Sequence, residues 1–278
     1  RDVAPSRGLG DVYKRQIQGG CVGMILSQFD HQQTAIINPE DVIQALPDFP
    51  KTAVTCFARG TFARILAEFP HREIAKTSVA NLEIPIYELN FQGQKIAFFN
   101  SYVGASGCVA ILEDIIAMGA ENILVFGTCG VLDSNIKETS IIIPTSAIRD
   151  EGTSYHYAPP ASEIALNHTY RKQFKQFLDA QNISYTEGKV WTTDGIYRET
   201  HQKTANRKTQ GAIAVDMECS AIAAFANFRK INHFQFFYSA DNLDAEAWEP
   251  RTLANDADLE TKDRIANIAL SFAVELFR

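Results

Sequence analysis

Short apolar runs alternate with amphipathic helical patterns from about Lys51 onward, and this alternation restricts the fold more than any other feature of the sequence. Runs such as ILVFG and SIIIP are apolar throughout, as is typical of strands that are covered on both faces. Helical segments between such strands pack onto the sheet that the strands form. The sequence therefore predicts an α/β domain.

The spacing of the apolar residues places the individual elements. Strands are predicted at residues 53–57, 84–89, 95–100, 122–127, 140–144, 189–192 and 233–239. Helices are predicted at residues 107–118, 161–180, 216–228 and 253–277. No internal repeat or long linker interrupts them, so we expect a single domain at residues 51–278 after an N-terminal segment at residues 1–50. The first 16 residues lack apolar periodicity and are a candidate for a non-native segment.

Composition and charge exclude several classes of protein. The chain of 278 residues is 46% hydrophobic, which is enough for a sizeable core, and has 26 Lys and Arg against 33 Asp and Glu. A net charge of -7 has the wrong sign for a protein that binds a nucleic-acid backbone. No run of about 18 apolar residues is present to span a membrane. We therefore expect neither nucleic acid nor a membrane as a partner.

The cysteines favour a reducing compartment. They are widely spaced, form no C-x-x-C pair and do not cluster with histidines as a zinc site requires. We therefore expect free thiols, no metal site and a cytoplasmic protein. The five residues are Cys21, Cys56, Cys108, Cys129 and Cys219.

Two glycine-bearing turns follow neighbouring predicted strands. In IAFFNSYVGASG, Gly104 and Gly107 lie between a strand and a helix start, where unpaired backbone N–H groups can hold an anion. In ILVFGTCGVL, Thr128 follows Gly127 and offers a hydroxyl to the same anion. Ligands of open α/β sheets bind at such strand ends. The alternative is that both segments are ordinary connecting turns.

Acidic residues occupy two further strand or helix ends. The segment AVDMECSA places Asp216 and Glu218 at a predicted helix start, and FYSADNL places Asp241 just beyond an apolar strand. A carboxylate on the first turn of a helix is usually a capping group. These segments acquire a functional interpretation only in combination with the glycine turns.

The ordered set of segments resembles the nucleoside phosphorylase superfamily, which includes uridine phosphorylase, hexameric purine nucleoside phosphorylase and the methylthioadenosine/adenosylhomocysteine nucleosidases. The resemblance extends from about Ala53 to the C-terminus and implies a three-layer α/β/α sandwich around a mixed β-sheet. It also implies a homodimer or hexamer that takes a small-molecule nucleoside, with inorganic phosphate as co-substrate and no other cofactor. The segments are NSYVGASG, GTCGVL, RDEGTSYHYAPP, TTDGIYRET, VDMECSA and YSADNL.

The resemblance implies roles for particular residues in cleavage of an N-glycosidic bond. Glu218 would accept the ribose hydroxyls, and Met217 would pack on the sugar, although a simple core methionine is the alternative. Asp241 would be the catalytic acid that protonates a departing purine, a group that uridine phosphorylases lack there. Ser101, Gly104 and Thr128 would bind phosphate. The base would contact Ile196, Tyr197 and Arg198, with Glu199 as a further edge contact, although a solvated Arg-Glu pair is equally consistent.

The chain departs from the phosphorylase pattern at the phosphate site. Val125 stands where these enzymes usually carry an arginine, and TCFARGTFAR replaces their early GDP-x-R turn. Arg59 or Arg64 is a candidate replacement, and His156 is a further candidate site residue. Phosphorolysis of purine nucleosides to free base and pentose 1-phosphate is the leading hypothesis. The alternatives are a hydrolytic nucleosidase, a uridine phosphorylase, or a nucleoside-binding protein with little activity.

Overall fold

The computed structural model describes residues 24–253 and 258–278. The interpretation of residues 1–16 and the thiol of Cys21 lie outside the described residues. The strands are β1 (Thr52–Cys56), β2 (His71–Val79), β3 (Leu82–Phe91), β4 (Gln94–Asn100), β5 (Asn122–Val131), β6 (Ile141–Asp150), β7 (Glu163–Ala165), β8 (Tyr185–Thr193), β9 (Ala212–Asp216) and β10 (Asn232–Asn242). The α-helices are α1 (Pro39–Val42), α2 (Arg59–Glu68), α3 (Ala105–Met118), α4 (Ser154–Tyr157), α5 (His168–Ala180), α6 (His201–Thr209), α7 (Cys219–Arg229) and α8 (Leu259–Leu276).

The strands form one mixed sheet, part of which closes on itself. Strand β5 pairs in parallel with β1 and β10 and antiparallel with β9. Strand β10 also pairs with β6, and β8 joins β6 to β9. Strands β5, β9, β8, β6 and β10 therefore form a closed circuit, and β1, β4, β3 and β2 extend the sheet from β5. The closed part brings the ends of β5, β9 and β10 together.

Helices cover both faces of the sheet. On one face, apolar residues of α2, α5 and α8 pack on Leu124 and Phe126 of β5. On the other face, α3 and α7 pack on Ile123 and Val125 of the same strand. Successive strand residues point to opposite faces, so the unbroken apolar run in β5 has a partner layer on each side. This arrangement confirms the expected α/β sandwich with a central mixed sheet.

The apolar runs located the strands well, and every predicted strand is present. The structure adds β2, β7 and β9, and the helices α2, α4 and α6, which the apolar spacing did not indicate. Helix α6 buries only Thr204, so it has no apolar stripe to detect. Leu46 donates its backbone N–H to the carbonyl oxygen of Met118 at 2.9 Å, which joins the N-terminal segment to α3. The division of the chain at residue 50 stays a prediction.

Three helix predictions were wrong at their starts. The helix predicted at 161–180 begins at His168, because Asn167 caps it by accepting the N–H of Tyr170 at 3.1 Å, and residues 163–165 form β7 instead. The helix predicted at 216–228 begins at Cys219, because Asp216 ends β9. The last helix begins at Leu259 rather than at residue 253, and residues 254–257 lie outside the described residues.

Cys56, Cys108, Cys129 and Cys219 are buried free thiols, as the spacing predicted. Over the described ranges, no helix is both long and apolar enough to cross a bilayer.

Phe174 lies at the centre of the aromatic core between α5, β10 and α8. Its ring centroid lies 5.0 Å from that of Phe234 and 4.7 Å from those of Phe236 and Phe272. We expect Phe174→Ala to lower the free energy of unfolding by about 3–5 kcal/mol, because the lost contacts leave a cavity. Denaturant titration measures this. Val42→Ala, at an exposed position of α1, serves as the control, and equal losses in the two variants would contradict the prediction.

Candidate active site

A cavity of about 1290 Å³ opens at the carboxyl ends of β1, β4, β5 and β10. Helix α2 forms one wall, the start of α8 another, and β3 a third. The turn after β4 contributes Ser101, and β5 contributes Thr128. Two of the predicted phosphate-binding residues therefore line one cavity, together with the candidate cations Arg59 and Arg64.

Buried hydrogen bonds hold Glu218 in place. The carboxylate of Asp216 accepts the N–H groups of Glu218 and Cys219 at 2.8 and 2.6 Å and the hydroxyl of Thr192 at 2.7 Å. Glu218 then reaches across to the glycine turn, where its Oε1 accepts the N–H of Gly104 at 2.5 Å. Burial, followed by the charge of Asp216, raises the pKa of Glu218. Asp216 is therefore the group that positions Glu218, while Met217 between them is half-buried and outside the apolar core.

Asp241 lies near the end of β10 at a register shift against β5. A Cβ atom on Gly130 would lie 3.1 Å from Oδ1 of Asp241 and 2.4 Å from Cδ1 of Leu243, so a larger residue there would displace neighbouring side chains. The indole N–H of Trp248 donates to Oδ2 of Asp241 at 2.9 Å. Burial raises the pKa of Asp241, and the Trp248 hydrogen bond opposes this change. Burial and then the charge of Asp241 raise the pKa of Glu199 to about 7.

The two carboxylates lie at the same end of the closed strand circuit. Gly130, beside Asp241, pairs with Val215, the residue before Asp216. Neither Glu218 nor Asp241 is among the residues that line the large cavity. Glu218 is connected to the cavity through Gly104, the chain neighbour of the lining residue Val103. Glu218, a predicted sugar residue, therefore contacts the turn after β4, which carries the predicted phosphate residues Ser101 and Gly104.

The predicted phosphate site has no charge at Val125. This side chain is fully buried against α3 and α7. The ring of Phe57 covers Gly127, since a Cβ atom there would lie 2.7 Å from it. Thr128 lies level with Tyr238 of β10 and, with it, lines the cavity between α2 and α8.

Cations line the cavity from two helices. Arg64 of α2 is half-buried, and its Nε lies 2.8 and 2.9 Å from the two carboxylate oxygens of Asp263. Arg59 is exposed at the start of the same helix. Lys262 of α8, which the sequence reasoning missed, is buried and donates to the carbonyl oxygen of Thr252 at 2.9 Å. Its position on the apolar stripe of Ile265 and Ala269 is a signal that could have identified it.

Other predicted site residues do not line the cavity. His156 is exposed on α4 and does not line it. Arg149 binds Ser154 and the carbonyl oxygens of Ala158 and Pro159, so it holds the segment that carries His156. Ile196, Tyr197 and Arg198 form an exposed 3-10 helix. Within the described part of the chain, no group of three His, Cys, Asp or Glu residues could hold a metal ion.

Glu218→Gln tests whether ionisation of the buried Glu218 carboxyl lowers the stability of the protein. Because burial, followed by the charge of Asp216, raises the pKa of Glu218 well above its ordinary value, the folded protein binds more protons than the unfolded chain in the pH window above that value. Its stability therefore falls as the pH rises through that window. The glutamine removes this titration and keeps an acceptor for Gly104. We expect a melting temperature several degrees above that of the parent protein at pH 8, at roughly 2–4 °C per kcal/mol, and little difference at pH 5.

Thermal unfolding between pH 5 and pH 8 measures this difference. Glu68→Gln, on the exposed face of α2, is the control and should follow the parent curve. Parallel curves for Glu218→Gln and the parent protein would contradict the prediction.

Comparison with known proteins identifies the family of this chain. The model of the Phosphorylase superfamily matches residues 51–278. A DeoD-type purine nucleoside phosphorylase of Exiguobacterium sibiricum is 23% identical over 197 residues, which are 67% of this chain and 78% of that protein. A guanosine phosphorylase of Halorubrum lacusprofundi is 20% identical over 146 residues, which are 52% of this chain and 61% of that protein.

Two solved structures share the fold. The purine nucleoside phosphorylase of Toxoplasma gondii, in complex with immucillin-H, has a TM-score of 0.72 at 16% identity and covers 84% of this chain and 96% of its own. The uridine phosphorylase of Vibrio fischeri has a TM-score of 0.69 at 20% identity and covers 88% of this chain and 98% of its own. The family uses phosphate as a co-substrate. Since the family model matches most of the chain, the protein belongs to the phosphorylase superfamily.

Proposed function

We propose that the protein cleaves purine nucleosides by phosphorolysis, releasing the free base and a pentose 1-phosphate. The observation that carries the proposal is the convergence of two buried carboxylates, Glu218 and Asp241, at one end of the strand circuit, beside a cavity with hydroxyls and cations. Cleavage of an N-glycosidic bond passes through a positively charged sugar. Buried carboxylates and a bound anion stabilise such a charge.

Glu218 is the proposed ribose clamp. An ionised carboxylate has two oxygens that accept hydrogen bonds, and Oε1 already accepts the N–H of Gly104. Burial favours the neutral form of Glu218 in the free protein. Sugar hydroxyls that donate to the ionised form would reverse that preference. Met217, half-buried beside Glu218, is the proposed contact for the sugar face.

Asp241 is the proposed acid for the leaving base. The bond between the sugar carbon and the base nitrogen breaks, its electron pair goes to the base, and the proton of Asp241 neutralises that base. A phosphate oxygen then forms the new bond to the sugar carbon. Burial raises the pKa of Asp241, which favours the proton-bearing form that a general acid requires.

The proposed phosphate site uses cations from outside the usual glycine turns. Ser101 and Thr128 provide hydroxyls, while Arg59, Arg64 and Lys262 line the same cavity. Arg64 is held by Asp263, so its guanidinium has a fixed position.

The choice of a purine rests on Asp241 and on relatives whose names specify purine nucleosides or guanosine. The fold itself does not distinguish the bases, because a uridine phosphorylase matches it at a similar TM-score. A homodimer or hexamer and a cytoplasmic location remain predictions from the resemblance and from the thiols. Light scattering during gel filtration tests the first of these.

A turnover assay tests the proposed function directly. Inosine, guanosine, adenosine and uridine are incubated with the protein, each with and without phosphate, and free base and pentose 1-phosphate are quantified. We expect phosphate-dependent release of a purine base. Equal rates without phosphate would identify a hydrolase, and turnover of uridine alone would overturn the purine assignment. Thermal stabilisation by nucleosides without any product would identify a binding protein.

Asp241→Asn tests the proposed acid. Asparagine keeps the size and an acceptor for Trp248 but has no carboxyl proton to transfer. We expect purine turnover to fall by roughly 10²- to 10⁴-fold, with a smaller change in nucleoside KM. Asp179→Asn, at an exposed position of α5, is the matched control and should keep parental rates. An unchanged kcat in Asp241→Asn would remove this residue from the mechanism.

Arg64→Gln tests the relocated phosphate site. Loss of a hydrogen bond to a charged group costs about 1.5–3 kcal/mol, so we expect the KM for phosphate to rise roughly 10- to 100-fold. The KM for nucleoside should change much less. Arg72→Gln, which removes a surface ion pair with Glu88, is the control. Equal effects of Arg64→Gln on both KM values would indicate a general structural loss rather than a lost phosphate contact.

A further inference from the structure

Trp248 is a large apolar side chain in an unusual environment. It is 60% exposed, whereas the other tryptophan, Trp191, is fully buried and donates its N–H to Asp150 at 2.9 Å. An exposed aromatic ring usually has freedom to move. The Trp248 ring instead donates a hydrogen bond to the buried carboxylate of Asp241. The protein therefore holds an exposed indole at a fixed position.

The loop around Trp248 adds to this fixation. Asn242 and Glu249 form a β-bridge, with N–H to carbonyl distances of 2.9 and 3.2 Å, and the Asn242 side chain donates to Glu249 at 2.8 Å. Asp244 in the same loop accepts the N–H of Ser134 at 3.0 Å. Trp248 directly precedes the bridge, so both its backbone and its indole nitrogen are restrained. Such restraint lowers the entropy that the ring would lose on binding a ligand.

Further exposed apolar side chains occur in a second segment near Asp241. The charge of Asp241 contributes to the raised pKa of Glu199, which places Glu199 near it. Glu199 directly follows the short 3-10 helix, on which Ile196 is 51% exposed and Tyr197 is 95% exposed. A flat heteroaromatic ligand at Asp241 would have exposed apolar surface of two segments to contact. Tyr197 is the predicted aromatic contact on the 3-10 helix, and Trp248 is the exposed ring on the other segment.

We propose that Trp248 is an aromatic contact of the nucleobase: its indole stacks on the base, and its N–H, bonded to Asp241, directs the Asp241 proton to the base. The inference rests on the proposed function, because it assigns Trp248 to the base side of the same site. An indole nitrogen can only donate, so Oδ2 of Asp241 is the accepting oxygen and Oδ1 carries the transferable proton. Trp248 thus contacts the base through its ring and positions the acid through its nitrogen.

Tryptophan fluorescence tests the stacking without any variant. Trp191 is fully buried, so a change in quenching by iodide reports on Trp248. We expect hypoxanthine or guanine to quench the emission and to protect the exposed fraction from iodide. The emission of Trp248→Phe, which retains only Trp191, should not respond to the base. A parent protein that binds base, by calorimetry, with unchanged emission and iodide access would overturn the inference.

Two substitutions distinguish the contribution of the Trp248 ring from that of its N–H group. Trp248→Ala removes both, and we expect base affinity to fall roughly 5- to 150-fold, the usual range for loss of one base-aromatic stack. Trp248→Phe keeps a ring, and we expect base affinity within about threefold of the parent, with an altered pH profile of kcat because Asp241 has lost its donor. Val42→Ala on α1 is the control for handling and stability.

The outcomes separate this inference from the proposed function. Parental base affinity and parental pH profiles in both Trp248 variants would overturn the role of Trp248, even where purine turnover is normal. If the parent protein turns over no nucleoside, the proposed function fails. Base-dependent quenching of Trp248 would in that case still support contact between the Trp248 ring and the base. If Trp248→Ala does not fold, the parent fluorescence and Trp248→Phe decide the question.

Discussion

The buried carboxylate of Asp216 is the interaction on which the site depends. It ends β9, accepts two backbone N–H groups at the start of α7, and binds the hydroxyl of Thr192. These bonds fix the chain at the start of α7, so Glu218, two residues after Asp216, reaches across to Gly104. Two acidic side chains are thereby buried close together, and burial raises the pKa of both. Such an arrangement lowers stability, and strongly perturbed pKa values of this kind cluster at functional sites.

Acidic and basic side chains lie in separate regions at the strand ends. Glu218, Asp241 and Glu199 are acidic, and burial raises the pKa of each in the free protein. A phosphate ion would be repelled if all three were ionised beside it. The cations Arg64 and Lys262 lie in the adjoining cavity, so the acidic and basic groups occupy separate regions. This separation suits a reaction that brings a sugar cation between an anion and a protonated base.

The sequence predicted those parts of the molecule that depend on local pattern. Fully apolar strands such as β5 were found because both of their faces are buried, whereas β2 was missed because most of its side chains are exposed or half-buried. The motifs located Glu218 and Asp241, yet they did not show that Trp248 bonds to Asp241 or that Lys262 reaches the cavity. Those contacts depend on how a polar loop and the last helix fold back onto the strand ends, which neither periodicity nor a short motif encodes.

The two departures from the phosphorylase pattern at the proposed phosphate site act together. Val125 is packed into the core under α3 and α7, and Phe57 covers Gly127. Both substitutions fill space with apolar side chains, so an anion cannot be neutralised from these two positions. Thr128, on the opposite face from Val125, borders the cavity that Arg64 and Lys262 line. An anion bound there would meet its cations from α2 and α8, and its oxygen would approach the sugar past Thr128 and Ser101. The proposed reaction therefore depends on the last helix, a segment that the motifs of the family do not include.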